Sequence, residues 1–257
     1  MAKIAVVTGA SSGIGKQFAM QLAKRPEVEE VWALARNKEK LNKLTLEIDK
    51  TVRVFSVDVS DNTQVNKFFL EVEKEKPEII WLANNAGWGK FCRYNDLTPE
   101  ESISMINTNC SGVVNMALRS LVYMPKGAHI INTSSASAFL PLPYMGLYAA
   151  TKAFVRSCSR SMNKEMRSKR VSVTCMCPYW VNTNFFDNAQ KNKGEILITN
   201  FEVMYKADDV VKKAIVDAEK GKDMSVYGRI NQIQHIMTKI FPQRFSMWVF
   251  LKKQGLK

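Results

Sequence analysis

The sequence predicts an α/β fold in which a doubly wound parallel sheet, about seven strands wide, carries helices on both faces. Three observations lead there. Apolar, β-branched runs alternate with helix-period segments from the N-terminus onward. Strand runs such as Ile4-Ala5-Val6-Val7 are apolar throughout, as strands covered on both sides are. A glycine-rich turn, Thr8-Gly9-Ala10-Ser11-Ser12-Gly13-Ile14-Gly15, joins the first strand to the first helix.

Residues 4–7 read as the first strand and 15–24 as the first helix. Strands over 31–35, 52–57 and 79–83 alternate with helices over 38–48 and 63–74. A long helical pattern spans 99–123. A strand over 129–133, a helix over 147–167, a strand over 171–175, a helix over 207–219 and a short strand over 225–227 complete the series. Right-handed crossovers between such units wind the sheet both ways from its centre. No repeat or linker divides the 257 residues, so one domain over 1–257 is expected, with 179–206 as a substrate loop and 229–257 as a helical tail. Connections leaving the carboxyl ends of strands build the ligand crevice of such a sheet, which assigns 179–206 to substrate.

Composition narrows the function classes. Hydrophobic residues at 46% and charged residues at 24% suit a chain that buries a core and exclude a disordered one. The apolar start is too short for a secretory signal, and no run approaches the ~20 residues of a membrane span, so a cytoplasmic location is expected. The five cysteines are odd in number and irregular in spacing, and only two histidines accompany them; free thiols and no metal are expected. The net charge of +13 comes without a Lys/Arg block or a nucleic-acid motif, so it reads as a basic surface and no nucleic-acid partner is expected.

Glycines let the backbone of the first turn approach a phosphate, and the helix that follows offers free N–H groups and a favourable dipole to a pyrophosphate. This points to Gly9, Ser11, Ser12, Gly13, Ile14 and Gly15 as cofactor-binding residues. The turn is not a P-loop, because no Gly-Lys-Ser/Thr closes it.

The spacing Thr-Gly-x-x-x-Gly-x-Gly resembles the short-chain dehydrogenase/reductase family, and further pieces follow in register. Asn84-Asn85-Ala86-Gly87 is similar to the family's Asn-Asn-Ala-Gly motif. Tyr148-Ala149-Ala150-Thr151-Lys152 matches its Tyr-x-x-x-Lys pair. Ser135 precedes Tyr148 at the family's serine spacing, and Asn109 in Thr108-Asn109-Cys110-Ser111-Gly112 resembles its fourth catalytic residue. The resemblance implies a nicotinamide-dependent oxidoreductase with Tyr148, Lys152, Ser135 and Asn109 as catalytic residues. It further implies that Lys152 holds the nicotinamide ribose, that Asn109 helps position a relay water, that Asp58 contacts adenine, and that Asn85, Ala86 and Gly87 join the cofactor site.

The chemistry of the pair also stands on its own. Tyr148 and Lys152 lie one helical turn apart on one face. A nearby ammonium stabilises phenolate, which predicts a tyrosine pKa below its usual value of about 10. Ser135 can hydrogen-bond a substrate oxygen as charge develops on it. Ser134 and Ser137 compete with Ser135; strand alternation puts Ser134 and Ser135 on opposite faces, and the family spacing selects Ser135.

An acid about twenty positions past the glycine turn would bind the ribose hydroxyls of NAD. Ala35 occupies that place and Arg36 follows, with no carboxylate to repel a 2′-phosphate. NADP(H) is therefore the expected cofactor, with Arg36 and either Ser11 or Asn37 around the phosphate.

The family's Pro-Gly-x-Val-x-Thr reads here Pro178-Tyr179-Trp180-Val181-Asn182-Thr183. Pro178, Val181 and Thr183 stand at cofactor-binding positions, with Val181 and Thr183 on the carboxamide. Tyr179 replaces the glycine, and must either line the pocket or reshape the loop. Trp88, Phe139, Leu142, Tyr144, Met145, Tyr179, Trp180, Phe185 and Phe186 make an aromatic, apolar set that suits a bulky apolar ketone or secondary alcohol such as a hydroxysteroid or acyl ketone. In the tail, apolar residues interleave with Lys239, Arg244, Lys252 and Lys253, and Pro242 interrupts the helical pattern. The tail can close the pocket, join subunits of a homodimer or homotetramer, or touch an anionic membrane peripherally; packing on the body or a second subunit is the expectation. A sugar-nucleotide epimerase or a non-catalytic NADP(H)-binding scaffold are the alternatives. Chain length and glycine spacing speak against the first, and the complete Asn-Ser-Tyr-Lys set against the second.

Overall fold

The computed structural model describes residues 1–191 and 196–256. Residues 192–195 of the expected substrate loop, and residue 257 of the tail, lie outside the described residues. The chain runs β1 (Lys3–Thr8), α1 (Gly13–Ala23), β2 (Glu30–Ala35), α2 (Lys38–Thr45), β3 (Thr51–Ser56), α3 (Asn62–Glu75), β4 (Glu78–Asn84), α4 (Pro99–Ile106), α5 (Gly112–Ser120), β5 (His129–Thr133) and α6 (Gly146–Met166). It continues through β6 (Ser172–Met176), β7 (Trp180–Val181), α7 (Phe185–Ala189), β8 (Met204–Tyr205), α8 (Ala207–Glu219), β9 (Met224–Ser225), α9 (Arg229–Ile240) and α10 (Gln243–Lys253).

Seven strands form one parallel sheet in the order β3-β2-β1-β4-β5-β6-β9. The order reverses between β1 and β4, which opens a crevice at their carboxyl ends. Helices cover both faces, as the sequence predicts. On one face Phe18 and Leu22 of α1, Leu41 and Leu44 of α2 and Val211 of α8 pack on Ala5, Val7 and Ala33. On the other, Val65, Phe68 and Val72 of α3 and Met116 of α5 pack on Ile4, Val6 and Leu34. Each such fully buried side chain contributes roughly 1.5–3 kcal/mol.

Local chemistry fixes the helix starts. Asp61 caps α3 by accepting from the amides of Thr63 and Gln64. Thr98 and Glu101 form a reciprocal capping box at α4, with Pro99 in the first turn. Asn37 caps α2. At α1, by contrast, Ser12 makes no side-chain cap and no acidic residue sits in the first turn.

Three expectations need correction. The helix expected over 99–123 is not continuous. A π-helical turn over Asn107–Ser111 separates α4 from α5, and α5 ends at Ser120. The strand expected at 225–227 is the two-residue β9, pairing only Met224 and Ser225 with β6. The loop over 179–206 contains structure of its own: β7 and β8 pair in parallel, and α7 lies between them.

Candidate active site

The carboxyl end of β1 leads into the glycine turn. Gly13 takes φ 52°, a backbone conformation that side chains disfavour. Gly15 lies so close to the preceding turn that a Cβ there would sit 2.0 Å from the Gly9 carbonyl oxygen. The first amides of α1 are left without a side-chain cap, and Ser11, Ser12 and Ile14 beside them line the cavity. This open positive end and close-packed glycine cradle fit a dinucleotide pyrophosphate.

Arg36 and Asp58 flank the same cavity at the ends of β2 and β3. Their charged groups approach to 4.0 Å, and the Arg36 side chain is 77% exposed. The expected absence of a carboxylate beside Arg36 therefore does not hold: the acid is supplied from the neighbouring strand instead of from position 35. Exposure leaves the guanidinium free to swing toward a phosphate. Asn37 is half committed, since its side-chain oxygen caps α2 by accepting from Lys40.

Thr8 organises the Asn-Asn-Ala-Gly segment. Its hydroxyl accepts from the amides of Asn85 (2.9 Å) and Ala86 (3.0 Å). Gly87 follows, and Asn109 holds the next residue from the π-helical turn. The Asn109 side-chain oxygen accepts from the Trp88 amide at 3.0 Å, and its amide donates to the Trp88 carbonyl at 2.8 Å and to the Thr151 hydroxyl at 3.0 Å. Asn109 thus clamps the segment after β4 to α6.

Tyr148 and Lys152 occupy the first two turns of α6, both buried. The Lys152 ammonium donates to the Thr133 carbonyl at 2.9 Å and lies 5.7 Å from the centre of the Tyr148 ring. Ser135 stands just beyond β5, where it accepts from the Ser137 amide at 3.1 Å and lines the same cavity as Tyr148. Ser134 donates its hydroxyl to the Lys152 carbonyl at 2.6 Å and is thereby committed to structure. Strand alternation is not the reason, because β5 has already ended at Thr133.

Burial dominates the titration of the pair. It pushes the Tyr148 phenol up to about 12, against a smaller pull from the Ser135 hydrogen bond. It pushes the Lys152 ammonium down to about 8. The expected lowering of the tyrosine pKa is reversed: a one-turn spacing brings Tyr148 and Lys152 together, but removal of the phenol from water decides the direction.

Past β6, the Ala136 amide donates to the Pro178 carbonyl at 2.8 Å. Val181 and Thr183 line the cavity, and the Thr183 methyl borders Gly13. Tyr179 takes an ordinary negative φ and lines the pocket, so the substitution adds a wall and leaves the loop unstrained. Its ring lies 5.6 Å from that of Trp180, and burial, aided by the charge of Glu202, raises its phenol to about 12.

These groups border one cavity of about 880 Å³ that runs from the glycine turn past Tyr148 to the tail helices. Of the aromatic and apolar residues expected there, Trp88, Leu142, Met145, Tyr179, Trp180, Phe185 and Phe186 line it. Phe139 and Tyr144 do not; Phe139 packs on His235 with ring centres 4.3 Å apart. Sequence reasoning missed Phe91, whose buried ring meets Tyr148 edge-on at 6.4 Å. It sits four residues beyond the Asn-Asn-Ala-Gly motif, a placement that marks it as crevice-facing. It also left undecided that Met237, Phe245 and Phe250 of the tail line the same cavity.

The model of the short chain dehydrogenase family matches residues 3–194. The chain belongs to the short-chain dehydrogenase/reductase family. As a member it is an oxidoreductase acting on CH–OH groups. Among relatives, an uncharacterized oxidoreductase of Staphylococcus epidermidis is 32% identical over 183 residues, covering 70% of this chain and 79% of that protein. A 3-ketodihydrosphingosine reductase of Bacteroides thetaiotaomicron is 35% identical, covering 72% and 66%. A human very-long-chain 3-oxoacyl-CoA reductase is 36% identical, covering 70% and 59%. Solved family folds superpose closely. A short-chain dehydrogenase from Sphingobium yanoikuyae in complex with NADPH matches with TM-score 0.75 at 22% identity, over 93% of this chain and 95% of that one. A Burkholderia phymatum homologue in complex with NAD matches with TM-score 0.79 at 21% identity, over the same shares. The five cysteines are free, with the Cys175 and Cys177 sulfurs 3.6 Å apart.

Proposed function

We propose that this chain is an NADP(H)-dependent oxidoreductase that interconverts a bulky apolar ketone and its secondary alcohol, with Tyr148 as the proton-transferring group. The observation that carries the reading is the single cavity in which the glycine turn and Arg36 stand at one end and an aromatic wall at the other, with Tyr148 between them. The names of two relatives, a 3-ketodihydrosphingosine reductase and a very-long-chain 3-oxoacyl-CoA reductase, agree with carbonyl substrates that carry large apolar chains.

Gly9, Ser11, Ser12, Gly13, Ile14 and Gly15 hold the pyrophosphate, Arg36 the 2′-phosphate and Asp58 the adenine. Asn85, Ala86, Gly87, Pro178, Val181 and Thr183 border the nicotinamide half, and Lys152 the ribose. When bound, the cofactor supplies or takes up the hydride.

In the reducing direction the Tyr148 hydroxyl donates its proton to the carbonyl oxygen of the substrate. A phenol held at about 12 is fully protonated at neutral pH and ready to do so. Ser135 donates a hydrogen bond to the same oxygen, stabilising the charge that develops before the proton arrives. The Lys152 ammonium, positioned by Thr133, stabilises the phenolate left on Tyr148. Asn109 positions Trp88 and α6 around the reacting atoms, and its oxygen adjoins the Lys152 side of the site, where a relay water would stand. Trp88, Phe91 and Phe185 exclude bulk water from the reacting carbonyl.

The same reading extends to assembly and place. Exposed Ile103 of α4, Leu118 of α5 and Phe154 of α6 suit a homodimer or homotetramer. Free cysteines suit a reducing cytoplasm.

The test is a panel of ketones followed at the NADPH absorbance, repeated with NADH. Turnover of a steroid or long-chain acyl ketone, with kcat/KM higher for NADPH and abolished in Tyr148→Phe, is expected. A preference for NADH would overturn the cofactor assignment, and turnover restricted to small polar carbonyls the substrate assignment.

A further inference from the structure

The tail packs on the body as expected through one face, with Met247, Phe250 and Leu256 against the core and Asn231 bonded to the Cys177 carbonyl, but its other face stays open. Ile233, Ile236, Met237 and Ile240 recur at helical spacing along α9, and all four are exposed, Ile240 to 66% and Ile233 to 59%. Phe245 and Trp248 of α10 continue this surface at 47% and 54% exposure, with their rings stacked 5.9 Å apart. An apolar patch of this extent on a water-facing surface signals an occupant.

Two observations identify it. The first is charge. Residues 229–257 contain six Lys and Arg and no Asp or Glu. Lys252 lies over the Trp248 ring at 5.4 Å, so one cation sits beside the exposed aromatic pair. Among the described residues Glu202 reaches the tail, and it is paired with Lys253 at 2.9 Å. The second is continuity with the cavity. Ile233, Met237, Phe241 and Phe245 are at once exposed and part of the cavity lining, so the apolar surface is the rim of the pocket mouth. A soluble partner would stopper that mouth; a bilayer would feed it. At 12 and 11 residues, α9 and α10 are too short to cross a hydrocarbon layer of about 30 Å, and no helix among the described residues is long and apolar enough to do so. A short helix with an apolar face and basic flanks, as α9 has, lies in the plane of the interface.

We propose that the α9–α10 hairpin docks on an anionic lipid bilayer and opens the pocket mouth into its acyl layer, so that an apolar substrate enters from the membrane without crossing water. The docking stands without the proposed function, while the delivery step rests on the reading of the cavity as a site for an apolar ketone.

The experiment is flotation of the full chain with vesicles of phosphatidylcholine alone and of phosphatidylcholine with phosphatidylglycerol in equal parts. No turnover is needed, so the result is independent of cofactor and substrate. The wild-type chain is expected to float with the anionic vesicles. Ile236, Ile240 and Trp248 lie outside the cavity lining. The variant I236D/I240D/W248D is expected to lose vesicle binding by about a hundredfold or more while still binding NADPH and reducing any water-soluble ketone that the wild type reduces. Should that variant fold poorly, K239Q/R244Q/K252Q keeps the apolar face and is expected to lose at least about tenfold on anionic vesicles and little on neutral ones. Wild-type protein that stays with the soluble fraction at both compositions overturns the proposal. So does a wild-type dimer by light scattering that the triple aspartate variant dissociates while neither protein floats, which would assign the face to a second copy of the chain.

Discussion

The Lys152 ammonium donates to the Thr133 carbonyl at 2.9 Å, tying the second turn of α6 to the last residue of β5. The bond points a buried cation at the gap between Tyr148 and the carboxyl end of the sheet. Lys152→Met, nearly equal in volume, removes the cation and keeps the packing. Its kcat is expected to fall roughly a hundredfold or more. Its melting temperature should stay within a few degrees of wild type, because a desolvated ammonium costs about as much as its hydrogen bond returns. Steady-state rates and a thermal melt, measured side by side, check both halves; a large drop in melting temperature would make the lysine a structural residue.

The pH profile follows from the two buried groups. Below about 8 Lys152 is an ammonium, and Tyr148 stays a neutral phenol up to about 12. Ketone reduction needs both forms, so its rate should be level near neutrality and decline as pH rises through about 8, where the ammonium is lost. Alcohol oxidation needs Tyr148 to accept a proton, so it should favour more alkaline solution than reduction does. Initial rates in each direction from pH about 6 to about 10 decide the matter. A reduction rate that stays flat to the alkaline limit would mean that Lys152 does not titrate there.

Arg36 and Asp58 should shift cofactor choice in opposite directions. Arg36→Ala removes the cation proposed for the 2′-phosphate and should lower kcat/KM for NADPH by about 10- to 100-fold with little change for NADH. Asp58→Asn removes the carboxylate 4.0 Å from Arg36 and should raise the NADPH to NADH ratio. Equal losses with both cofactors in R36A would remove the arginine from the phosphate site.

Asn109 joins three elements through three hydrogen bonds, two of them to Trp88. Asn109→Ala should destabilise the protein by about 2–3 kcal/mol, since it leaves the half-buried Trp88 amide and carbonyl without their protein partner. Thr151→Val, which removes one of the three partners, should cost about 1 kcal/mol. Urea unfolding of the two variants gives the comparison; equal costs would show that the clamp on Trp88 is not what Asn109 contributes.

Most of the sheet and the chemical motifs were legible because their signals are local. Apolar runs announce parallel strands, and the turn from Gly9 to Gly15 writes its conformation in residues that tolerate it. Tyr148 and Lys152 were legible through their resemblance to the family's Tyr-x-x-x-Lys pair, in register with the other motifs. The π-helical turn that carries Asn109 was not legible, since no residue in 99–123 marks where such a turn falls. The two-residue β9 was too short to set its own ends. The direction of the Tyr148 pKa shift depends on how much protein surrounds the ring, which spacing cannot report. Phe91 and the tail residues reach the cavity only through long-range packing, and the Arg36–Asp58 approach depends on β2 lying beside β3.

The cavity that runs from Gly9 to the tail has two origins. Arg36, Asn109, Tyr148, Lys152 and Thr183 fall inside the stretch that matches the family model, residues 3–194. Met237, Phe245 and Phe250, which line its far end, fall outside that stretch. The stretch that matches the family model and the far rim of the cavity are therefore separable lengths of chain. Evolution can rewrite the second without disturbing the first, and so can a protein engineer who exchanges α9 and α10 for the corresponding helices of a cousin.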